Sequence, residues 1–224
     1  MFDHLENVNK EQREAILARG IVCCIAGAGT GKTTTLVKAI LDRKIQNECP
    51  PENILVVTFT RKAGQEMKDR IREIGGPSSV PYYMGNFHAI SLKLMARFPG
   101  LAYGLDSVNI IDQKERGALI KEGVMANILP DYDLDNKQIR ALADAFGDCV
   151  SEFKGDLILP RDIEANNSIV DDLINRKDYP EDISGIIRDI LIKHYRTYVS
   201  ICWQDMGVMD FDDLILLPIL SMRE

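Results

Sequence analysis

The sequence predicts an α/β protein in which an all-helical subdomain interrupts a parallel sheet. Over residues 1–96, short apolar runs alternate with amphipathic segments, which is typical of parallel strands joined by crossover helices. Over residues 97–205, apolar side chains instead recur at helical spacing, and loops rich in Asp, Asn and Pro separate the segments. The last segment, residues 206–224, is predicted to be a helix that returns to the sheet.

Three strands and four helices are predicted in the first part. The strands cover residues 21–26, 54–59 and 80–85, and the first two are apolar enough to be buried on both faces. The helices cover residues 9–18, 32–46, 61–74 and 87–97, the first with Asn9 as its N-cap. In the second part, the spacing predicts helices over residues 112–128, 135–153 and 181–204, with one short strand at 108–111.

Composition and charge limit the classes of function. Hydrophobic residues make up 46% and charged residues 27% of the 224, as in a soluble protein with a core. No apolar run approaches the ~20 residues of a membrane span, and no export signal is present, which favours the cytoplasm and excludes a membrane partner. The net charge is −7, but residues 1–105 hold 14 Lys and Arg against 10 Asp and Glu, whereas residues 106–224 hold 13 against 24. A phosphate-binding surface is therefore expected in the first half.

The most specific chemical signal is AGAGTGKT, residues 26–33, between the first predicted strand and the next helix. Its glycines let backbone N–H groups surround phosphate oxygens, and the helix N-terminus adds partial positive charge there, so this is a P-loop. Lys32 is expected to reach the β- and γ-phosphates of ATP, and the Thr33 hydroxyl to ligate Mg²⁺. The residues predicted to bind ATP are Ala26, Gly27, Ala28, Gly29, Thr30, Gly31, Lys32, Thr33 and Thr34; Ala26 stands where the strict pattern has Gly.

Four further segments flank the P-loop in a fixed order. They are LENVNKEQREA (5–15), VTFTRKAGQEM (57–67), GNFHAISLKLM (85–95) and MDFDDLI (209–215). With the P-loop, they resemble the Q motif, Walker A, motif Ia, motif Ib and a pre-Walker B segment of the UvrD/Rep/PcrA family of superfamily 1 DNA helicases. The resemblance implies a RecA-like P-loop NTPase sheet and a parent enzyme that unwinds duplex DNA 3′→5′ with ATP.

The resemblance also implies roles for individual residues. Gln12 would hydrogen-bond the adenine edge, because an amide offers both a donor and an acceptor. The segments that match motifs Ia and Ib would lie along single-stranded DNA near its junction with duplex, through Phe59, Thr60, Arg61, Lys62, Asn86, Phe87 and His88. Thr34 stands where many relatives have an Arg that stacks on adenine, so base selectivity is expected to be weaker here.

Other segments that the family's motor requires are not found in the sequence. The acidic pairs Asp171-Asp172, Glu181-Asp182 and Asp212-Asp213 lie in predicted loops or helices, which favours solvated or capping carboxylates over a Walker B pair. Without Walker B and a second RecA-like domain, the chain is predicted to be part of a longer helicase: a monomer that binds nucleotide weakly and unwinds nothing. Two alternatives stay open, namely an unrelated P-loop ATPase or kinase, and a complete nucleotide-binding or interaction module that never hydrolyses ATP.

Overall fold

The computed structural model describes residues 5–46, 48–127, 132, 134–177 and 179–223, which form two compact units. The first unit covers residues 1–93 and the second covers residues 94–224. The first contains a small parallel sheet with helices, consistent with the predicted α/β class, whereas the RecA-like arrangement stays a prediction. Among the described residues, every helix is too short or too polar to cross a membrane.

The elements of the first unit follow its local sequence signals. They are α1 (Lys10–Leu17), α2 (Lys32–Ile45), β1 (Leu55–Thr58), α3 (Arg61–Gly75), β2 (Tyr83–Asn86) and α4 (Phe87–Arg97), the last of which continues into the second unit. Asn9 caps α1 as predicted, because its side chain accepts a hydrogen bond from the Gln12 amide. Single 3₁₀ turns at Pro51–Asn53 and Pro77–Ser79 precede β1 and β2. The predicted boundaries are therefore close to the observed ones wherever capping residues mark them.

The core of the first unit lies between its helices and one face of the sheet. β1 and β2 pair in parallel with a register from Leu55 opposite Tyr83 to Thr58 opposite Asn86. Val56 of β1 and Met84 of β2 pack against apolar side chains of α2 and α3, which are Val37, Ile40, Leu41, Met67 and Ile71. α3 approaches closely at Gly64, where a Cβ would lie 3.0 Å from Thr58 Oγ1. This packing fixes the end of β1 against the start of α3.

The predicted strand at residues 21–26 is wrong. These residues have no regular secondary structure, and the side chains of Ile21 and Ile25 are fully exposed. The expected cover on both faces of the sheet is not observed either, because Leu55 is 57% exposed. A buried parallel strand needs neighbours that accept and donate its backbone hydrogen bonds. In the described part of the chain β1 pairs with β2 alone, so the apolar run at 21–26 has no strand beside it.

The described residues of the second unit form mainly helices. Its helices are α5 (Gln113–Leu119), α6 (Asn136–Gly155), α7 (Pro160–Ala165), α8 (Ser168–Lys177), α9 (Glu181–Ser200) and α10 (Asp213–Ser221). π-helical turns at Ile120–Val124 and Ile201–Asp205 continue α5 and α9, and 3₁₀ turns lie at Pro99–Ala102 and Met125–Asn127. Residue 128, the last of the predicted helix 112–128, lies outside the described residues.

Three features of the second unit differ from the sequence prediction or extend it. α7 and α8 form in a stretch for which no helix is predicted, and Pro160 at the start of α7 is the local signal. The predicted strand at 108–111 is reduced to one parallel bridge between Ile110 and Met209. Residues 206–223 pack within this unit, where Leu214 and Leu217 join a cluster with Met95. Their predicted return to the sheet stays a prediction.

Candidate nucleotide and nucleic-acid sites

The loop that precedes α2 has the backbone conformation of a turn that requires glycine. Gly29 and Gly31 have φ values of 75° and 84°, in the left-handed region that side chains disfavour. The loop is exposed, and within the described residues the N–H groups of residues 28–31 donate to no protein acceptor. Adjacent amides of this kind, followed by the N-terminus of the 14-residue α2, form a concentration of donors that suits an anion.

The Lys32 ammonium lies over this loop. Its Nζ donates to the carbonyl of Ala26 at 2.9 Å and also to the carbonyl of Gly27. The Thr30 hydroxyl donates to the same Gly27 carbonyl at 2.9 Å, which holds the turn closed. A cation is thus placed within the curve of the loop at the first residue of α2. This arrangement fits a polyphosphate, because its oxygens can accept from both the ammonium and the backbone amides.

The first turn of α2 also contains hydroxyl groups. Thr33 and Thr34 are exposed, whereas the Thr35 hydroxyl donates to the Gly31 carbonyl at 3.1 Å. A hydroxyl and phosphate oxygens suit Mg²⁺, which keeps several of its waters and needs few protein ligands. No group of three or more His, Cys, Asp or Glu side chains in the described residues could hold a metal by itself. Thr33 therefore fits the role of a single protein ligand to a nucleotide-bound Mg²⁺.

The structure places Gln12 beside the loop, 20 residues before Lys32 in the chain. The Gln12 Nε2 donates to the Thr30 carbonyl at 3.0 Å. The Gln12 Oε1 accepts from the backbone amide of Asn9 at 3.1 Å, and the backbone amide of Gln12 donates to Asn9 Oδ1 at 2.8 Å. These two hydrogen bonds form a capping box at the start of α1. An amide side chain has two N–H donors and two acceptor lone pairs. One N–H donor and one acceptor lone pair of the Gln12 side chain are used in these contacts, so one donor and one acceptor are left for a ligand.

Gly31 has a second role that only the structure shows. A Cβ on this residue would lie 2.9 Å from Gln12 Nε2, closer than real Cβ atoms approach. Glycine at position 31 therefore gives the turn its positive φ and also lets α1 come close to the loop. The sequence signal for the first property is the P-loop pattern, whereas the second depends on a contact between residues 19 apart.

The predicted nucleic-acid residues gather at one edge of the sheet. β1 and β2 end together at the paired residues Thr58 and Asn86, so the next residues, Phe59 and Phe87, leave the same edge. Both rings are exposed, Phe59 by 93% and Phe87 by 58%. Large aromatic side chains at this level of exposure offer flat apolar surfaces on which bases can stack.

The same edge is also the starting point of two helices. Thr60 caps α3 by accepting from the Ala63 amide at 3.1 Å, and Asn86 accepts from the Ala89 amide at 3.1 Å in the first turn of α4. These caps use acceptor atoms and leave the Thr60 hydroxyl proton and the Asn86 amide group as donors. Exposed Arg61 and Lys62 and half-buried His88 follow in the first turns. Positive charge and helix N-termini thus meet beside the exposed rings.

The second unit contains a buried charge cluster that the sequence analysis missed. Lys154 is fully buried, and its Nζ lies 2.7 Å from Asp210 Oδ2 and 2.8 Å from Asp213 Oδ1. The sequence favours a solvated or capping carboxylate at Asp213. The expected solvation is wrong, because this residue is fully buried. Burial raises the pKa of Asp213 to about 6 in spite of the nearby ammonium. No local pattern marks this cluster, since 56 residues separate Lys154 from Asp210.

Comparison with known proteins identifies the family. The chain belongs to the UvrD/REP helicase N-terminal domain family, whose model matches residues 8–224. It is similar to ATP-dependent DNA helicase PcrA of Staphylococcus epidermidis, with 27% identity over 216 residues. The ATP-dependent DNA helicase PcrA of Staphylococcus aureus is 29% identical over the same length. Each match covers 96% of this chain and 26% of the relative, so the chain spans about a quarter of the length of these helicases.

Proposed function

We propose that this chain is the N-terminal part of an ATP-dependent DNA helicase, with Mg-ATP bound at residues 26–34 and single-stranded DNA at the sheet edge of Phe59 and Phe87. The observation that carries the proposal is the loop itself. Amides without protein acceptors, a lysine ammonium and a helix N-terminus converge on it, and the Gln12 amide lies against it. The names of the PcrA relatives supply the DNA substrate and the use of ATP.

In this proposal each part of the nucleotide meets a different group of the chain. The amides of residues 27–33 bind the phosphates, Lys32 neutralises charge on the β- and γ-phosphates, and Thr33 contributes a hydroxyl to Mg²⁺. The bound Mg²⁺ supplies further neutralisation of the phosphate charge. Gln12 donates to and accepts from the adenine edge. Thr34 cannot stack on the base as an arginine would, so discrimination between purines depends largely on Gln12.

The DNA strand in this proposal runs along the carboxyl edge of the sheet. Phe59 and Phe87 stack on bases, whereas Arg61 and Lys62 contact phosphates. Thr60, Asn86 and His88 donate hydrogen bonds to the sugar-phosphate backbone. None of these contacts reads a base edge, so the site is expected to bind single strands and single-strand/duplex junctions with little sequence preference.

The activity proposed for the whole helicase is 3′→5′ unwinding driven by ATP hydrolysis in a RecA-like motor. The proposed organisation is an ATP-binding domain begun by residues 1–96, a helical subdomain over 97–205 and a return segment over 206–224. We propose that the chain by itself is a cytoplasmic monomer with weak nucleotide affinity and no unwinding activity. Hydrolysis needs groups opposite the γ-phosphate, and an arginine finger alone contributes ~10³–10⁵ in rate.

Replacing Phe59 and Phe87 together with alanine should weaken binding of an oligothymidine strand by about 30-fold or more, because one stacked base is worth ~1–3 kcal/mol. The salt dependence of binding should be unchanged, since neither ring neutralises a phosphate.

Replacing Arg61 and Lys62 with alanine should instead reduce the magnitude of the slope of log affinity against log salt concentration by ~0.7 for each lost phosphate contact. Fluorescence anisotropy at several salt concentrations measures both quantities.

Tyr82→Ala is the matched control for the aromatic variant. Tyr82 is an exposed aromatic residue of the same unit, but it directly precedes β2 and so lies at the opposite end of that strand. Its removal should leave DNA affinity unchanged. If the Phe59 and Phe87 variant binds as tightly as the unmodified chain, this edge of the sheet is not the DNA site.

A further inference from the structure

A network of charged side chains joins α1 to the helix that follows the phosphate loop. Asp42 of α2 is fully buried, with its Oδ2 2.9 Å from an Arg19 guanidinium nitrogen and 3.1 Å from Arg43 Nη1. Arg19 also contacts Glu48 at 2.6 Å, and the Glu48 carboxylate lies 3.7 Å from Arg43. Two carboxylates and two guanidinium groups therefore form one connected network. The pKa of Arg19 is raised, mainly because its guanidinium group donates a hydrogen bond to Glu48.

The two arginines also bond to the backbone at the C-terminal end of α1. Arg43 donates to the carbonyls of Ile16 at 3.2 Å and Ala18 at 2.6 Å, and Arg19 donates to the carbonyl of Leu17 at 2.7 Å. The last carbonyls of a helix have no partner within it, and positive charge is favourable there. α1 has no basic residue in its own last turn. The positive charge at its end comes instead from Arg43 of α2 and from Arg19.

α1 needs such support because it has only eight residues. Helices this short are marginal in water, and their stability comes from contacts with the rest of the protein. The capping box of Asn9 and Gln12 stabilises its first turn, and the network with Asp42 stabilises its last. The position of Gln12 over the loop therefore depends on both ends of α1.

We propose that Asp42, Arg19 and Arg43 are positioning residues that hold Gln12 at a fixed place over the phosphate loop and thereby set the preference for adenine. α2 begins at Lys32 and also carries Asp42 and Arg43. One rigid helix therefore connects the phosphate-binding loop to the charged network that holds the C-terminal end of α1. The arrangement thus fixes the position of Gln12, which would contact the base, relative to that of Lys32, which would contact the phosphates. This inference rests on the proposed function, since it assumes that a nucleotide binds at the loop with its base at Gln12.

The test compares ATP with ITP, which differs in carrying an oxygen in place of the 6-amino group. A hydrogen bond from the base to Gln12 should give the unmodified chain a preference for ATP of up to about tenfold. Asp42→Asn should reduce that preference to roughly one while leaving the affinity for Mg-tripolyphosphate, a probe without a base, within about twofold. Isothermal titration calorimetry gives all three affinities, and Asp42→Glu, which keeps the charge, should restore part of the preference.

Two further measurements separate positioning from general loss of structure. In a Gln12→Ala background, Asp42→Asn should not change the ratio of ATP to ITP affinity, because the residue through which it acts is gone. Hydrogen exchange of the α1 amides without nucleotide should be faster in Asp42→Asn than in the unmodified chain. Asp69→Asn is the matched control, since Asp69 also pairs with an arginine, Arg72, but on the exposed surface of α3.

The outcomes distinguish the inference from the proposal on which it rests. If the unmodified chain binds neither Mg-ATP nor Mg-tripolyphosphate, the proposed function fails and the inference fails with it. If the unmodified chain prefers ATP and Asp42→Asn keeps that preference, only the inference is overturned. Equal losses of ATP, ITP and tripolyphosphate affinity in Asp42→Asn would also overturn it, since they would show a collapse of the loop rather than a misplaced Gln12.

Discussion

Replacing Lys32 with alanine should abolish the rise in melting temperature that Mg-ATP produces in this chain. The ammonium is the one side-chain cation that the structure places over the loop among residues 26–34. A hydrogen bond to a charged group contributes ~1.5–3 kcal/mol, and this ammonium can make two, so affinity should fall by about 100-fold or more. At a nucleotide concentration of about 100 times Kd, the unmodified chain gains ~2.7 kcal/mol, and the variant should gain less than ~0.5 kcal/mol.

The variant itself should remain folded. Lys32 is exposed and its contacts in the structure are two hydrogen bonds to loop carbonyls, so its loss should cost well under ~1 kcal/mol without nucleotide. Lys68→Ala makes the same change of charge on α3 and serves as the control. Differential scanning fluorimetry over a range of Mg-ATP concentrations measures the effect. A rise in melting temperature equal to that of the unmodified chain would remove the phosphate site from residues 26–34.

Much of the first unit could be predicted because its signals are local. Asn9 and Gln12 form a capping box within four residues, and Thr60 caps α3 three residues before the amide that it accepts from. The strand at 54–59 is likewise marked by its own β-branched run. The run at residues 21–26 is also apolar and forms no strand, because strand formation depends on neighbours that lie elsewhere in the chain.

The candidate sites show the same division between local and distant contacts. The resemblance to a helicase family indicates which residues of the loop and of the sheet edge to consider, and their roles toward ATP and DNA stay predictions. The ion pairs within each unit instead join positions far apart in sequence, such as Arg19 with Asp42 in the first unit and Lys154 with Asp210 in the second. A lysine or an aspartate alone gives no sign of its partner. Asp42, Lys154 and Asp210 are buried in the folded chain, and this burial distinguishes them from the many solvated charges around them.

Replacing Lys154 with methionine should destabilise the second unit by ~3–5 kcal/mol at pH 8, because it leaves Asp210 and Asp213 buried without the ammonium between them. Methionine fills much of the same volume, so the loss is mainly electrostatic. Tyr198 and Trp203 still donate to these carboxylates, at 2.7 and 3.1 Å, and do not replace the positive charge. Urea-induced unfolding followed by the fluorescence of Trp203, the single tryptophan, measures the change.

The destabilisation should become smaller as the pH is lowered from 8 to 5. Burial already raises the pKa of Asp213 from its ordinary value of 3.8 to about 6. An acid whose pKa is higher in the folded state favours folding in its protonated form, so its favourable contribution is present at low pH and is lost as the pH rises through about 6. Without the Lys154 ammonium the pKa of Asp213 rises further and that of Asp210, which Lys154 lowers against the effect of burial, rises with it. The pair in the variant can therefore take up protons at pH 5 that it lacks at pH 8, and folding recovers part of the lost free energy.

Two further variants decide whether the buried charge is the cause. Lys177→Met removes a lysine that pairs with Glu152 at 2.6 Å near the surface, and it should cost less than ~1 kcal/mol at either pH. Asp210 still faces the buried guanidinium of Arg116 at 3.5 Å, whereas Asp213 loses its cation. Adding Asp213→Leu to Lys154→Met removes that carboxylate and should restore part of the stability, since an apolar pair can replace a buried ion pair at little cost. A loss for Lys154→Met that is the same at pH 5 and pH 8 would instead point to packing. The stability of the helical unit would then depend on the methylene stem of Lys154 rather than on its ammonium.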